Sequence, residues 1–208
     1  MMTQATLLRS AGLLLAALGI AACGASDQGS AAPDTSELSA EEKQGLAFLR
    51  EEEKLARDVY AALDASDPSF ANIKESEQRH FDAVGVLLTR YLLPDPAAGK
   101  AQGEFTDPAL QRLHDQLVAR GLESRLAALT VGVEIEELDL RDLQLAQDLV
   151  THEDVAITYD NLARGSRNHL RTYHGKLVAS GGSYTPQFLD TTTFFAIAES
   201  DKERGQGN

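Results

Sequence analysis

Apolar residues recur at steps of three and four along most of residues 39–181, which is the spacing of one face of an α-helix. The segment Ser39–Glu42 (SAEE) is typical of a capping box at the start of a helix, and this first helix is predicted to end near Ala65. A second helix is predicted from about Phe70 to just before Pro94. No strand-like alternation of useful length occurs in this part of the sequence.

Three more helices are predicted in the rest of this region. A short one covers Asp107–Gly121, with a proline in its first turn and a glycine at its end. Long helices follow from about Glu123 to Leu149 and from about Asp154 to Ala179. Four long helices and one short one predict an all-α protein: an antiparallel four-helix bundle, with a short crossover helix between helices two and three.

Each long helix has an apolar seam that ionisable residues interrupt near its middle. The interrupting residues are Glu53 in the first helix, Glu77 and His80 in the second, Glu136 in the third and His169 in the fourth. An unpaired carboxylate in a helical core is costly or stays protonated. Several ionisable residues at the same level of the bundle core therefore need a cation or a dense hydrogen-bond network.

This pattern matches most of a di-iron or di-manganese site. Such sites take one Glu from each of two helices and a Glu-x-x-His pair from each of the other two. Glu77 and His80 form one such pair, whereas the fourth helix has Ser166 where the second pair needs a glutamate, three residues before His169. The sequence therefore predicts that iron or manganese binds to five of six expected ligands.

Other interpretations of these residues remain open. Glu52 could replace Glu53, and Asp139, one turn beyond Glu136, could supply the carboxylate that Ser166 lacks. Without a metal, His169 would be a hydrogen-bonded core histidine. The stretch VEIEELDLRD around Glu136 is strongly acidic, and most of its charges are expected to be solvated.

Charge and cysteine content limit the function further. The formal charge is −13, and it would become −14 if residues 1–22, which contain Arg9, were removed. A protein this acidic is a poor partner for nucleic acid or for an anionic lipid surface. The single cysteine, Cys23, leaves the following chain without disulfides or thiolate ligands. The sequence has neither a G-x-S-x-G hydrolase elbow nor a Gly-rich phosphate loop.

The first residues are predicted to be a targeting segment. Residues 1–22 contain Arg9 and then an apolar run too short to span a bilayer comfortably, and small residues precede Cys23. This arrangement resembles the lipobox of bacterial lipoproteins, in which the cysteine is lipidated; the alternative is an ordinary signal peptide. Because Gly24 follows the cysteine, the resemblance implies the periplasmic face of the outer membrane.

The remaining chain divides into three parts. Residues 23–38 are predicted to be the lipidated cysteine and a flexible tether, 39–190 the helical domain, and 191–208 a partly disordered tail. Within the tail, the apolar segment TFFAIA (Thr193 to Ala198) is expected to pack back onto the domain.

Four motifs carry a resemblance to a known family. They are REEEKLARDVY (Arg50 to Tyr60), FANIKESEQRHFDAVGVLLTRY (Phe70 to Tyr91), VGVEIEELDLRDL (Val131 to Leu143) and NLARGSRNHLRTY (Asn161 to Tyr173). Together they are similar to the ferritin-like family catalogued as domain of unknown function 2202, over Leu46 to Phe188. The resemblance implies a ferritin-like bundle but no activity.

A wider resemblance is to rubrerythrin and bacterioferritin. Glu53 with Tyr60, the Glu77-x-x-His80 pair and Glu136 match their metal-site motifs, and Ser166 departs from them. Two hypotheses follow. The chain is either a lipid-anchored metalloprotein with oxidase or peroxidase chemistry and an external electron donor, or a non-catalytic envelope domain with a relic metal site. In the first case Ser166 leaves two arrangements open, a single metal ion or an asymmetric pair helped by Asp139.

Overall fold

The structure, a computed structural model, describes residues 37–204. Within this range it contains six helices and no strand, which confirms the all-α prediction for these residues. The helices are α1 (Ala40–Ala62), α2 (Pro68–Arg90), α3 (Pro108–Gly121), α4 (Arg125–Gln147), α5 (Glu153–Ala179) and α6 (Thr191–Ala198). The predicted targeting segment, Cys23 and most of the tether lie outside the described residues.

Short polar side chains set where the helices begin. At α1 the predicted capping box is present: Glu42 N donates to Ser39 Oγ at 3.0 Å, and Ser39 N donates to Glu42 Oε2 at 2.8 Å. Asp67 caps α2 by accepting from Ser69 N, so this helix begins at Pro68 rather than near Phe70 as predicted.

The four long helices lie side by side. α1 packs along α2, α4 packs along α5, and lighter contacts join α1 to α4 and α2 to α5. Glu42, at the start of α1, accepts hydrogen bonds from the backbone of Thr151 and His152 in the α4–α5 turn. The beginning of α1 is therefore level with the end of α4, and these two helices run in opposite directions.

Contacts at the other end of the helices establish the same directions. Asp67, in the α1–α2 turn, pairs with Arg125 at the start of α4 and with Lys176 near the end of α5. α2 and α4 therefore start at the same end and run parallel. The connection between them, residues 91–124, has to run back along the molecule, and its helix α3 packs on α1 and α4.

The core consists of two apolar clusters with a polar layer between them. Along α1, Leu46 and Leu49 belong to one cluster, and Leu55 and Val59 to the other. α2 and α5 pass through both clusters in the same way. The interrupted positions of the seams therefore lie at one level, about midway along the long helices.

The segment after α5 packs onto the long helices. Phe194 of α6 is fully buried, and its ring lies 5.4 Å from that of Tyr184. Further on, the carboxylate of Glu203 pairs with Arg167 and Arg171 of α5. The apolar segment in the predicted tail thus forms a helix with a buried face, and the domain limit at residue 190 stays a prediction.

Among residues 37–204, no helix combines the length and the apolarity needed to cross a membrane.

Candidate metal centre

The polar layer contains the five side chains that the sequence singled out. Their ligand atoms form two groups, in each of which the atoms lie within 4.8 Å of one another. One group is Glu53, Glu77 and His80, and the other is Glu77, Glu136 and His169. The structure therefore brings all five side chains together from four helices, and Glu77 belongs to both groups.

Glu77 lies between the two histidines and offers one oxygen to each. Its Oε2 is 2.8 Å from His80 Nδ1, and its Oε1 is 2.7 Å from His169 Nδ1. A second carboxylate lies next to each imidazole: Glu53 Oε2 is 3.3 Å from His80 Nδ1, and Glu136 Oε2 is 3.4 Å from His169 Nδ1. The two halves of the site therefore have matching donor sets.

These short distances do not produce well-aligned hydrogen bonds. Both Nδ1 atoms, together with Glu77 Oε1 and Glu53 Oε1, are buried polar atoms with no hydrogen-bond partner. Buried polar groups in proteins are nearly always hydrogen-bonded, so several exceptions at one place need an explanation. Imidazole nitrogens and carboxylate oxygens that converge without bonding each other form a donor set suited to iron, manganese or zinc.

Burial and mutual proximity shift the pKa values in this layer. Burial raises the pKa of Glu53 and of Glu136 to about 7, against the opposing effect of the adjacent imidazoles. Burial also opposes the charge on Glu77, but His169 and His80 hold its pKa well below the usual range. Burial likewise disfavours the imidazolium of His169, yet Glu77 and Glu136 raise its pKa to about 10. Without a metal, imidazolium charges therefore balance the central carboxylate.

Tyr60 orients one of the carboxylates. Its Oη donates to Glu136 Oε1 at 2.5 Å, and its ring packs against Phe70 and Tyr173 at centroid distances of 5.5 and 5.3 Å. Burial and the Glu136 carboxylate raise the pKa of Tyr60 well above its usual value, so the phenol stays a donor. The other oxygen of Glu136 is left for the His169 side of the site.

Ser166 and Asp139 are paired beside the two groups. Ser166 Oγ is fully buried and donates to Asp139 Oδ2, while Asp139 Oδ1 has no hydrogen-bond partner. Glu52 is buried next to Glu53, with neither of its oxygens hydrogen-bonded. Neither Glu52 nor Asp139 joins either three-residue group, so a ligand role for them stays a prediction.

A glycine brings α5 close to the histidine of α2. A Cβ added at Gly165 would lie 2.6 Å from Cε1 of the His80 ring, so any side chain at this position would require the ring to shift. Gly165 therefore lets the two helices approach at the level of the site, directly before Ser166 in the chain.

The expectation that most charges around Glu136 are solvated is wrong. Glu134, Glu137 and Asp139 are all buried, like Glu136 itself. Glu137 accepts from Tyr184 Oη and from the backbone N–H groups of residues 187–189, and Glu134 pairs with Arg120. Loops and α3 cover α4 on its outer side, which the periodicity of α4 alone could not indicate.

Two further buried glutamates attach connecting segments to α1, a role that the sequence did not predict. Glu51 accepts from Thr106 N and Asp107 N and so attaches the α2–α4 connection to α1. Glu42, recognised only as part of a capping box, also attaches the α4–α5 turn. The acidic run at Glu51–Glu53 was the available signal, although it does not show which carboxylate points inwards.

Comparisons with known proteins identify the family of the chain. The family described as "Uncharacterized protein domain (DUF2202)" matches residues 42–201. A relative, "Uncharacterized protein MJ0754" of Methanocaldococcus jannaschii, is 44% identical over 170 residues, covering 81% of this chain and 92% of the relative.

A solved structure is similar as well. The crystal structure of hypothetical protein MJ0754 from Methanococcus jannaschii superposes with a TM-score of 0.80 at 43% identity, covering 84% of this chain and all of the other. The family match spans well over half of the sequence and includes every residue of the polar layer. The chain therefore belongs to the DUF2202 domain family.

Proposed function

We propose that this chain is a ferritin-like metalloprotein whose polar layer binds two metal ions, iron or manganese. The observation that carries the proposal is the position of Glu77, which presents one oxygen to each of two imidazole–carboxylate pairs. Glu77 would therefore be a ligand common to both metal positions. Glu53 and His80 would complete one metal position, and Glu136 and His169 the other.

The directions of the helices support the ferritin-like part of the proposal. Di-metal carboxylate proteins of this class are four-helix bundles with one long crossover connection, and their ligands project inwards from all four helices. Here α2 and α4 run parallel and are joined by a long connection that contains α3. Each long helix contributes at least one residue to the polar layer.

Bound iron or manganese would supply redox chemistry of the oxidase or peroxidase type. The chain's own residues would hold the site: Tyr60 fixes the orientation of Glu136, and apolar clusters flank the polar layer on both sides. For His80 and His169 to act as ligands, each must give up the proton on Nδ1. Binding would therefore release protons from groups whose pKa values are raised in the metal-free protein.

The sequence supports two further parts of the proposal. The pattern that ends at Cys23 supports a lipid anchor that holds the domain at the periplasmic face of the outer membrane. Because Cys23 is the single cysteine, the chain has no thiolates with which to build an iron–sulfur electron donor. Electrons would have to come from an external partner.

One observation favours a second candidate, a non-catalytic envelope domain with a relic metal site. Ser166 occupies the position at which the di-metal pattern has its second glutamate, and its hydroxyl group donates a hydrogen bond to Asp139. In this alternative the ion pairs among Glu77, His80 and His169 stabilise the polar layer without a metal.

Metal analysis separates the two candidates. The full chain, purified without added metal and then loaded with Fe(II) or Mn(II) and desalted, should retain about two ions per chain. Glu77→Gln, which removes the charge shared by both groups, should retain fewer than half as many. Glu51→Gln is the control, because Glu51 is a buried glutamate of α1 outside both groups. Retention of less than one ion, with thermal stability unaffected by chelators, would support the relic instead.

A further inference from the structure

The candidate metal centre is buried unevenly, and its two imidazoles are its most exposed members. The side chains of His80 and His169 are 12% and 10% exposed. The three carboxylates of the two ligand groups are only 1% or 2% exposed. His80 belongs to α2 and His169 to α5, and their rings are stacked with centroids 5.6 Å apart. The accessible side of the site therefore lies between these two helices.

The four long helices meet along four grooves, and segments of the chain cover two of them. The connection that contains α3 is attached to α1 by Glu51 and to α4 by Glu134, so it lies across the groove between α1 and α4. The residues after α5 are attached to α4 by Glu137 and to α5 by Arg167. They lie across the groove between α4 and α5.

Side chains of α1 reach across the third groove, between α1 and α2. Arg57 Nη1 donates to Gln78 Oε1 at 2.9 Å, and the guanidinium groups of Arg50 and Arg57 both lie over the ring of Phe81. A polar cleft on this groove is lined by residues of both helices, among them Arg57, Lys74 and Gln78. This cleft is the alternative entrance to the site.

The fourth groove, between α2 and α5, is fastened at its two ends. Arg90 Nη1 lies 2.5 Å from Asp154 Oδ2 at one end, and Lys176 Nζ lies 2.8 Å from Asp67 Oδ1 at the other. Between these ends, within residues 37–204, the contact of Glu77 with His169 is the only hydrogen bond or salt bridge that joins the two helices. The middle of this groove, at the level of the site, is therefore held by the candidate ligands themselves.

Small side chains flank the histidines along this groove. Ser76 precedes His80 by four residues and lies one turn away on the same face of α2. Thr172 follows His169 by three residues and lies one turn away on the same face of α5. Both are partly buried. Gly165, four residues before His169, has no side chain to place against the His80 ring.

We propose that metal ions enter and leave the candidate metal centre through the groove between α2 and α5, past Ser76 and Thr172. Along this route the imidazoles are met before the more deeply buried carboxylates. Ser76 and Thr172 would then control how fast the site is loaded without acting as ligands. This inference rests on the proposed function, because the route serves the two metal positions around Glu77.

The rate of loading tests the route. Co²⁺ is the probe, because its visible absorption changes when imidazole and carboxylate ligands bind it, and stopped-flow mixing with the metal-free full-length protein follows this change. Ser76→Leu and Thr172→Leu each place a larger side chain in the entrance, and each should slow binding by about tenfold. A barrier on the route slows entry and exit by the same factor. Removal of Co²⁺ by an excess of chelator should therefore slow equally, with the affinity unchanged.

Two control variants change other parts of α2. Ala71→Leu adds the same side chain at an exposed position on a different face of the helix, and it should bind Co²⁺ at the wild-type rate. Gln78→Ala removes the hydrogen bond across the groove between α1 and α2, and it should also leave the rate unchanged.

Several outcomes overturn the proposal. Wild-type rates in both Ser76→Leu and Thr172→Leu would exclude this route, and faster loading of Gln78→Ala would place the entrance between α1 and α2 instead. A changed affinity with an unchanged rate of entry would mean that the leucines disturb the ligands and not an entrance. A wild type that binds no Co²⁺ would refute the proposed function and the route with it, whereas full binding at unaltered rates refutes the route alone.

Discussion

Glu137 and Glu77 are both buried glutamates, with exposures of 0% and 2%, but their surroundings differ completely. Glu137 accepts from the backbone N–H groups of three consecutive residues, 187–189, and from Tyr184 Oη. Glu77 accepts no backbone hydrogen bond in the part of the chain that the structure describes, and it faces two imidazoles and two other carboxylates.

The same division applies to other carboxylates. Glu42 and Glu51 resemble Glu137, because each binds the backbone of a distant connection. Glu53 resembles Glu77, because it faces another carboxylate and an imidazole in the polar layer. Burial of a charge is therefore not by itself a sign of function. What distinguishes a candidate site is that its charged groups face one another and lack backbone donors.

The largest effect is expected when a backbone-bound carboxylate is removed. Glu137→Ala leaves three amides and the Tyr184 hydroxyl without their acceptor, and it should lower the free energy of unfolding by about 4 kcal/mol. Urea unfolding measures this change. Metal retention by the folded fraction should stay as in the wild type, since Glu137 lies outside both ligand groups. A loss of stability below about 1 kcal/mol would mean that the amide contacts contribute little.

The carboxylate of Glu42 should make the free energy of unfolding depend on pH in the acidic range. Hydrogen bonds from Thr151, Ser39 and His152 lower its pKa to about 2, although burial opposes the charge. Because the pKa is lower in the folded state, the contribution is complete above the ordinary value near 4.5 and is lost as the pH falls towards 2. Glu42→Gln should therefore be less stable than the wild type by about 3 kcal/mol at pH 7.

The gap between Glu42→Gln and the wild type should close near pH 2, where the wild-type side chain becomes protonated. Urea unfolding between pH 2 and pH 7 measures it, with Glu41→Gln in the same turn of α1 as the control. A gap that does not change with pH would show that the carboxylate charge is not what holds the α4–α5 turn.

The sequence predicted the five residues of the polar layer because an interrupted seam is visible in helical periodicity. It could not predict which acidic residues outside the seam are buried. Glu51 and Glu137 are covered by connecting segments, and helical periodicity does not determine the path of such segments. It named Glu52 only as a substitute for Glu53, because a shift of one residue about the helix decides which of two adjacent carboxylates faces the polar layer. The sequence predicted that Ser166 departs from the ligand pattern, and the structure adds its hydrogen bond to Asp139.

Two glycines of α5 test how tightly the polar layer is packed. Gly165→Ala places a Cβ 2.6 Å from His80 Cε1, so the ring has to move, and the cost in stability should be about 2 kcal/mol. Gly175→Ala, on the same helix with no atom within 4 Å of the added Cβ, should instead stabilise by up to about 1 kcal/mol. Thermal unfolding of both variants measures the difference. Equal effects would mean that the close approach at His80 is not restrictive.

The smallest change in metal-free stability is expected at Glu53, which lies two residues from Glu51 on the same helix. Glu53 Oε1 has no hydrogen bond, and burial raises the pKa of this carboxyl to about 7, so Glu53→Gln should alter metal-free stability by less than about 1 kcal/mol. Glu51→Gln disturbs two backbone hydrogen bonds and should cost about 2 kcal/mol.

Added Mn²⁺ should reverse the order of these two variants. An ion that binds only the folded state raises stability according to its affinity, so Mn²⁺ should stabilise Glu51→Gln as much as the wild type and Glu53→Gln much less. Thermal unfolding with Mn²⁺ and with a chelator gives all four values for the two variants. If both variants lose the same stability and respond equally to Mn²⁺, the carboxylate of Glu53 has no metal-binding role that Glu51 lacks. If only Glu53→Gln loses the response, its cost lies in ligand binding and not in folding.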